Sequence, residues 1–323
     1  MPSPFPRRPL HLVGAPLEVG GSQLGTVMGP AGLRTAGLEA TLESLGHQVV
    51  DSGDLTPIPS AAESSDLEKV GRNASAIQPW LLELSESGYR SLVSGHLPIF
   101  LGGDHSLSMG TVNGAARYCA TTNRELFVLW LDAHADFNTP STSPSGNLHG
   151  MPLAMLCGEP GFEPLCSEDG SAVKSGVLDP KNLHLFGIRS VDEGERSLLE
   201  ERGVETTDMR CLDEQGVALP LSRWLEHIRR RGGALHVSLD VDFLDPGLAP
   251  GSGTLVPGGA SYREAHLVME MLHDSGLLLS LDVAELNPYL DVRGQSARVL
   301  VDLVASLFGR RITHRSPSRV NVA

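Results

Sequence analysis

The sequence predicts an α/β protein: one three-layer αβα domain spanning residues 1–323, built around a mostly parallel sheet. Its strand-like segments are continuous apolar runs, such as Leu126–Leu131 and Ala234–Leu239, rather than alternating ones. That is the pattern of strands covered on both faces. Segments of helical periodicity separate the runs, as crossover connections between parallel strands require. Acidic or histidine residues follow directly on several of these runs, at the sheet edge where open α/β folds bind ligands.

Taken in order, 10–15 is a short, mostly apolar strand, followed by a helical stretch over 30–45 and a strand-like segment at 47–51. A polar segment over 60–73 leads into a helix over 76–93, and 98–101 is the next strand, running into Gly102-Gly103-Asp104-His105. After the strand at 126–131 comes an irregular loop, 137–149, rich in Ser, Thr and Pro. A Gly-, Ser- and acid-rich stretch over 158–179 reads as an insertion, and 182–188 as a strand. Leu221, Trp224, Leu225 and Ile228 recur at i, i+3, i+4 and i+7, which marks a helix face. Ala265, Val268, Met269 and Leu272 do the same, with Gly276 placed as a C-cap. The last strand is 277–281, and Leu300, Val301, Val304, Leu307 and Phe308 line a final helix. The basic, polar tail 312–323 is expected to be loosely held.

Composition narrows the partners. Hydrophobic residues make up 41% and charged residues 20%, as in a protein with a large core. The net charge of −14 argues against nucleic acid or an anionic membrane and suits a cationic small molecule. The cysteines Cys119, Cys157, Cys166 and Cys211 are widely spaced, without a Cys-x-x-Cys pair, so neither a disulfide framework nor a thiolate metal site is expected. Arg7-Arg8 is followed by Pro9, and Gly14 interrupts the short apolar run, which speaks against an export signal. No apolar stretch reaches the ~20 residues of a membrane span. A soluble, cytoplasmic protein is the expectation.

Asp132-Ala133-His134-Ala135-Asp136 and Asp240-Val241-Asp242 each follow a buried strand. Alternate residues of an extended segment point the same way, so Asp132, His134 and Asp136 can converge, as can Asp240 and Asp242. Carboxylates crowded at the end of an apolar strand repel and desolvate one another unless positive charge sits between them. With His105 they make four carboxylates and two imidazoles. That set suits manganese, while zinc, cobalt, iron or nickel also satisfy it. Six protein ligands would saturate one ion, whereas two ions sharing bridging carboxylates keep room for water and can acidify it. The chemistry expected is metal-assisted hydrolysis. His11, His184, His227, His236, His266 and His273 lie within strand-like or helical runs and are expected to be packed or solvated instead.

Gly102-Gly-Asp-His-Ser106, Asp132-Ala-His-Ala-Asp136, Ser238-Leu-Asp-Val-Asp-Phe-Leu-Asp-Pro246 and Ser280-Leu-Asp-Val-Ala-Glu-Leu-Asn-Pro288 resemble the four signature segments of the ureohydrolases. That family comprises arginases, agmatinases and related amidinohydrolases, and the resemblance runs from Gly14-Ala-Pro16 to the last helix. It implies the arginase-like αβα fold, two Mn2+ ions, and hydrolysis of a guanidino group to urea and an amine by a metal-activated hydroxide. One ion would be held by His105, Asp132, Asp136 and Asp240, and the other by Asp132, His134, Asp240 and Asp242. Glu285 would orient the guanidinium, Asp136 would pass a proton to the leaving amine, and His149 would exchange protons with bulk water.

The loop from Asn138 to Gly150 resembles that of arginases rather than agmatinases, and the chain as a whole is most like a bacterial-type arginase. There the positions matching Asn138, Ser145 and Asn147 meet the α-carboxylate of L-arginine, Asp192 meets the α-ammonium with Glu195 behind it, and Thr254 lines the guanidinium pocket. On the residues alone, Asn138 and Ser145 are also turn residues and Asp192 also a helix N-cap. Phe243 and Ala249–Thr254 take forms associated with agmatinases and some bacterial arginases. The competing readings are therefore an agmatinase or another guanidino-compound hydrolase, a mononuclear zinc deacetylase of related fold, and a catalytically silent regulator. Agmatinases bind no α-amino-acid head, and no metal ligand is missing, so L-arginine conversion to L-ornithine and urea leads. The family also implies a homo-oligomer, trimeric or hexameric.

Overall fold

The computed structural model describes residues 8–58, 66–167 and 172–311. The tail 312–323 lies outside them, as do Arg7 and parts of the 60–73 and 158–179 segments. Among the described residues, eight strands form one sheet: β1 (Leu10–Ala15), β2 (Val49–Asp54), β3 (Leu97–Gly102), β4 (Leu126–Leu131), β5 (Leu183–Ile188), β6 (Glu205–Asp208), β7 (Ala234–Asp240) and β8 (Leu278–Ala284). Their order is β2-β1-β3-β8-β7-β4-β5-β6, and every pairing is parallel. The expected mostly parallel sheet is thus wholly parallel among these strands.

β3, β4, β5, β7 and β8 are buried at every position, which is why they read as unbroken apolar runs. The outer strands differ. β2 alternates half-buried and exposed residues, and β6 (Glu-Thr-Thr-Asp) has one buried residue, so neither carries an apolar signature. Helices cover both faces, and the sheet divides the core into two clusters, one around Leu129, Val237, Leu239 and Leu300, the other around Phe100, Val128, Trp130 and Met155.

One expected helix is divided, and one helix is new. The helix over 30–45 is two helices, Gly29–Thr35 and Leu38–Ser44, because Gly37 between them is left-handed at φ 87°. An unforeseen helix, Ser108–Thr121, packs along helix Ala74–Val93. No helix among the described residues is long and apolar enough to cross a membrane.

Parallel pairing brings the C-terminal ends of β3, β8, β7 and β4, four adjacent strands, to one edge. Residues 104–105, 285, 240–242 and 132–136 follow or end those strands, so distant segments converge without any loop having to reach across the fold.

Candidate metal centre and its cavity

His105 Nδ1 stands 3.1 Å from Asp132 Oδ2, 3.2 Å from Asp136 Oδ2 and 3.1 Å from Asp240 Oδ2. His134 Nδ1 stands 3.4 Å from Asp132 Oδ1 and 3.2 Å from Asp242 Oδ2. Asp132 therefore faces both imidazoles. One ligand atom each from His105, Asp132 and Asp136 lies within 4.8 Å of the others, as does one each from Asp132, His134 and Asp242. Local backbone donors fix the carboxylates: His134 N–H donates to Asp132 Oδ1 (2.6 Å), Asp242 N–H to Asp240 Oδ1 (2.8 Å) and Ala133 N–H to Asp242 Oδ1 (3.1 Å).

The cluster fits a pair of cations on its own chemistry. His105 Nδ1 and Asp132 Oδ2 are buried without a hydrogen-bond partner, although three carboxylate oxygens crowd the imidazole. Four acids share a buried space with two imidazoles. Burial opposes a charged His134, yet Asp132 and Asp242 push it up to about 12. Burial likewise opposes charge on His105, which Asp132, Asp136 and Asp240 hold well above its ordinary value. Burial, then the charge of Asp132, pushes Asp136 up to about 6. Burial raises Asp240 and Asp242 too, with neighbouring carboxylates adding to it. Every one of these shifts says the cluster lacks positive charge at its centre.

Two acidic residues at the edge stay out of the cluster. Asp104 accepts from Gly20 N–H (2.7 Å) and Ser106 N–H (3.1 Å), holding the loop after β1 in place. Asp282 sits within β8 and accepts from Ser108 and Thr111 on the neighbouring helix. The histidines expected to be packed behave so where burial is highest: His184 pairs with Thr207 (2.8 Å) and His236 with Ser280 (2.8 Å).

Above the cluster a cavity of about 180 Å³ is lined by His134, Asp136, Asn138, Ser145, His149, Asp192, Glu195, Asp240, Thr254 and Glu285, with Ser143 and Gly150. Glu285 Oε1 accepts from His105 N–H (2.8 Å) and lies 2.9 Å from His149 Nδ1. Burial works against a charged His149, but Glu285 prevails and raises it to about 9. Asp136 and Glu285 both take left-handed backbone, φ 48° and 61°, which non-glycine residues adopt only where surroundings enforce it. Thr254 Oγ1 donates to Asp242 Oδ2 (2.9 Å).

On the cavity wall Asn138 Nδ2 donates to Asp192 Oδ2 (2.9 Å), and Thr142 Oγ1 donates to Asn138 Oδ1 (3.0 Å). Asp192 is the N-cap residue of helix Glu193–Arg202, and Glu195 Oε2 accepts its N–H (2.9 Å) while Oε1 accepts Phe137 N–H (2.9 Å). The cap role and the cavity-lining role coexist in one residue. Burial pushes Glu195 up to about 7. Asn147 is not among the lining residues; its amide donates to Ser22 Oγ (2.8 Å) and its N–H to Ser145 Oγ (3.1 Å), so it props the loop. Phe243 is fully buried in the core below Gly187 and is not a lining residue.

The structure also brings in residues that had not been singled out. Trp130 stacks on His105 with centroids 4.0 Å apart and planes within 11°. Ser238 Oγ lies 2.7 Å from His105 Nε2. The available signal was a polar pair, His236 and Ser238, at alternate positions inside a buried strand. Arg189 donates to the carbonyls of Asp242 (2.5 Å) and Val256 (2.8 Å), tying the Thr254 loop to the segment carrying Asp242.

Comparison with known proteins agrees with this geometry. A model of the arginase family matches residues 8–309. An arginase of Agrobacterium fabrum is 52% identical over 305 residues, 94% of this chain and 92% of that one. One from Brucella melitensis is 49% identical over 308 residues, covering 94% and 97% respectively. The solved structure of Bacillus caldovelox arginase superposes with a TM-score of 0.85 at 36% identity, covering 95% of this chain and all of that one. Fold, paired His/Asp clusters and near full-length similarity converge: the chain belongs to the arginase family of ureohydrolases.

Proposed function

We propose that this protein hydrolyses L-arginine to L-ornithine and urea, using two manganese ions. The observation that carries the choice of substrate is the pairing of Asn138 with Asp192 in the wall of the same cavity that Asp136, His134 and Glu285 line. A guanidino amino acid has complementary ends: a cation for the carboxylates and an amino-acid head for Asn138, Ser145 and Asp192. Relatives of about half identity that are named arginases support the same reading.

His105, Asp132, Asp136 and Asp240 would hold one ion, and Asp132, His134, Asp240 and Asp242 the other. Bound there, the metal pair supplies water acidic enough to act as a nucleophile near neutral pH. Glu285 accepts hydrogen bonds from the guanidinium and fixes its plane, a charge-assisted contact. Asp136 delivers a proton to the leaving nitrogen, because an amine departs poorly as an anion. His149, hydrogen-bonded to Glu285, returns protons to solvent from the cavity rim. Asn138 and Ser145 donate to the α-carboxylate, with Asn147 supporting Ser145 from behind, and Asp192, backed by Glu195, takes the α-ammonium. Thr254 borders the guanidinium site and steadies Asp242.

Agmatinase activity is the alternative, since agmatine retains the guanidinium but lacks the α-carboxylate. Phe243, a position that raised this alternative, is buried in the core and so does not favour it. The deciding measurement is urea release from L-arginine and from agmatine by the manganese-loaded protein. Strong preference for arginine is expected, and preference for agmatine would overturn the assignment of the Asn138–Asn147 loop. All four cysteines are free thiols, which supports a cytoplasmic setting. The proposal includes a trimeric or hexameric homo-oligomer, to be checked by sedimentation.

A further inference from the structure

Beneath the metal centre a chain of polar side chains crosses an otherwise apolar layer. Trp130, Ser238 and Asp282 occupy one row of the sheet, in register across β4, β7 and β8, and His236 pairs with Ser280 in the row before. Side chains in register on neighbouring parallel strands share a face. On that face lies helix Ser108–Thr121, which adds Ser108 and Thr111. All of Ser108, Thr111, His236, Ser238, Ser280 and Asp282 are buried. A polar chain here costs stability unless its members satisfy one another.

The proton directions follow from the two ends. His105 Nδ1 faces Asp132, Asp136 and Asp240, so a metal-ligating His105 carries its lone pair there and its proton on Nε2. The Nε2–H then donates to Ser238 Oγ, 2.7 Å away. At the other end Asp282 Oδ2 accepts from Ser108 Oγ (2.7 Å) and Thr111 Oγ1 (2.6 Å), with His236 Nε2 at 3.2 Å. Ser108 spends its hydroxyl proton on Asp282, so across the 3.3 Å gap to Ser238 it accepts. Every bond thus points one way: His105 to Ser238, Ser238 to Ser108, Ser108 to Asp282. A metal-bound histidine ordinarily gives its second N–H directly to a carboxylate or carbonyl. Here two hydroxyls stand between.

We infer that Ser238 and Ser108 are positioning residues: with Asp282 they form a one-directional relay that fixes the tautomer and plane of His105 and so sets the affinity of one metal site. Trp130, stacked on the same ring, limits tilt, and the relay fixes rotation within the plane. Thr111 is the internal control. It donates to the same Asp282 oxygen but lies off the line to His105, so it serves stability without reaching the metal.

This inference rests on the reading of His105 as a metal ligand, and the test separates the two. The full-length protein is stripped of metal and titrated with Mn2+ in chelator-buffered solution, following each ion's dissociation constant and the electron paramagnetic resonance of bound manganese. Ser238→Ala should weaken one of the two ions about 10–100-fold and leave the other near its parent value. Ser108→Ala should weaken the same ion by less. Thr111→Val should lower the unfolding midpoint and leave both metal affinities unchanged. In a His105→Asn background, adding Ser238→Ala should cost no further affinity, since the two act through one contact.

Parent-like binding by both serine variants would overturn the relay. So would Thr111→Val weakening metal as much as Ser108→Ala, because packing alone would then explain both. Should Ser238→Ala fail to fold, the Ser108/Thr111 comparison still decides. Two tightly held ions in His105→Asn would instead overturn the ligand assignment, and the relay with it.

Discussion

Asn138 Nδ2 donates to Asp192 Oδ2 at 2.9 Å, a bond between residues 54 apart in sequence that ties the loop after β4 to the start of a helix. Each partner also lines the cavity, as the proposed contacts to two separate substrate groups require. Asn138→Ala should lower kcat/KM for L-arginine about 10-fold or more, chiefly through KM, because a hydrogen bond to a charged group contributes about 1.5–3 kcal/mol. Asp192→Ala should impair arginine and agmatine alike, since both carry the ammonium. Steady-state kinetics with the two substrates read the difference; equal loss on both in Asn138→Ala would remove its role at the α-carboxylate.

Glu285 is held by His105 N–H and by His149, and neither contact depends on its ligating a metal. Glu285→Gln keeps the shape but loses the charge that the proposed mechanism sets against the guanidinium. Activity should fall about 100-fold or more, in line with removing one charge-stabilising group, while elemental analysis still finds two metals per chain. Loss of metal in this variant would contradict the role.

Gly103 separates β3 from Asp104 and His105, and a Cβ there would lie 1.7 Å from the carbonyl oxygen of Leu17. Its own carbonyl accepts Glu285 N–H at 2.8 Å. Gly103→Ala must therefore push apart the β1 loop, His105 and Glu285 together. A fall in thermal midpoint by several degrees, with joint loss of metal and activity, is the expected outcome. A parent-like midpoint would show that the loop yields without cost.

His184 in β5 is fully buried, and burial alone pushes it down to about 3. The sign follows directly. Below its ordinary value near 6.5 the unfolded chain binds a proton that the fold refuses until about pH 3, so stability falls as pH drops through that window. Denaturant titrations of the parent and His184→Gln between pH 6.5 and 4 should diverge by up to about 1.4 kcal/mol per pH unit. Parallel curves would mean that this ring takes up its proton within the fold.

The inner strands were legible because double coverage leaves almost only apolar side chains on them, and the paired His/Asp clusters because carboxylates at such strand ends have few other uses. What stayed hidden did so for physical reasons. β6 is an edge strand with a single buried residue, so burial wrote no pattern into it. The helix 108–121 is rich in small residues because Gly110 and Gly114 sit where a Cβ would meet Leu81 O at 2.7 Å and Ser85 O at 2.6 Å. Close backbone approach removed the bulky residues whose spacing reveals a helix. Asp282 looks from its spacing like one more site acid, and only the register of β7 with β8 shows it turned toward Ser108 instead.

The strand order has a consequence for how the molecule is made. Among the described residues β8 is the last strand in sequence, yet it lies at the middle of the sheet, wedged between β3 and β7. Until residues 278–284 leave the ribosome, the earlier strands can form only two separate ribbons, β2-β1-β3 and β7-β4-β5-β6, each with an open edge. His105 belongs to one ribbon and Asp132, His134, Asp136, Asp240 and Asp242 to the other, so a nascent chain has no complete His/Asp cluster. Insertion of this keystone closes both edges and joins the halves at once, which makes synthesis of this strand the step before which the chain is most exposed to mispairing and most in need of chaperone cover.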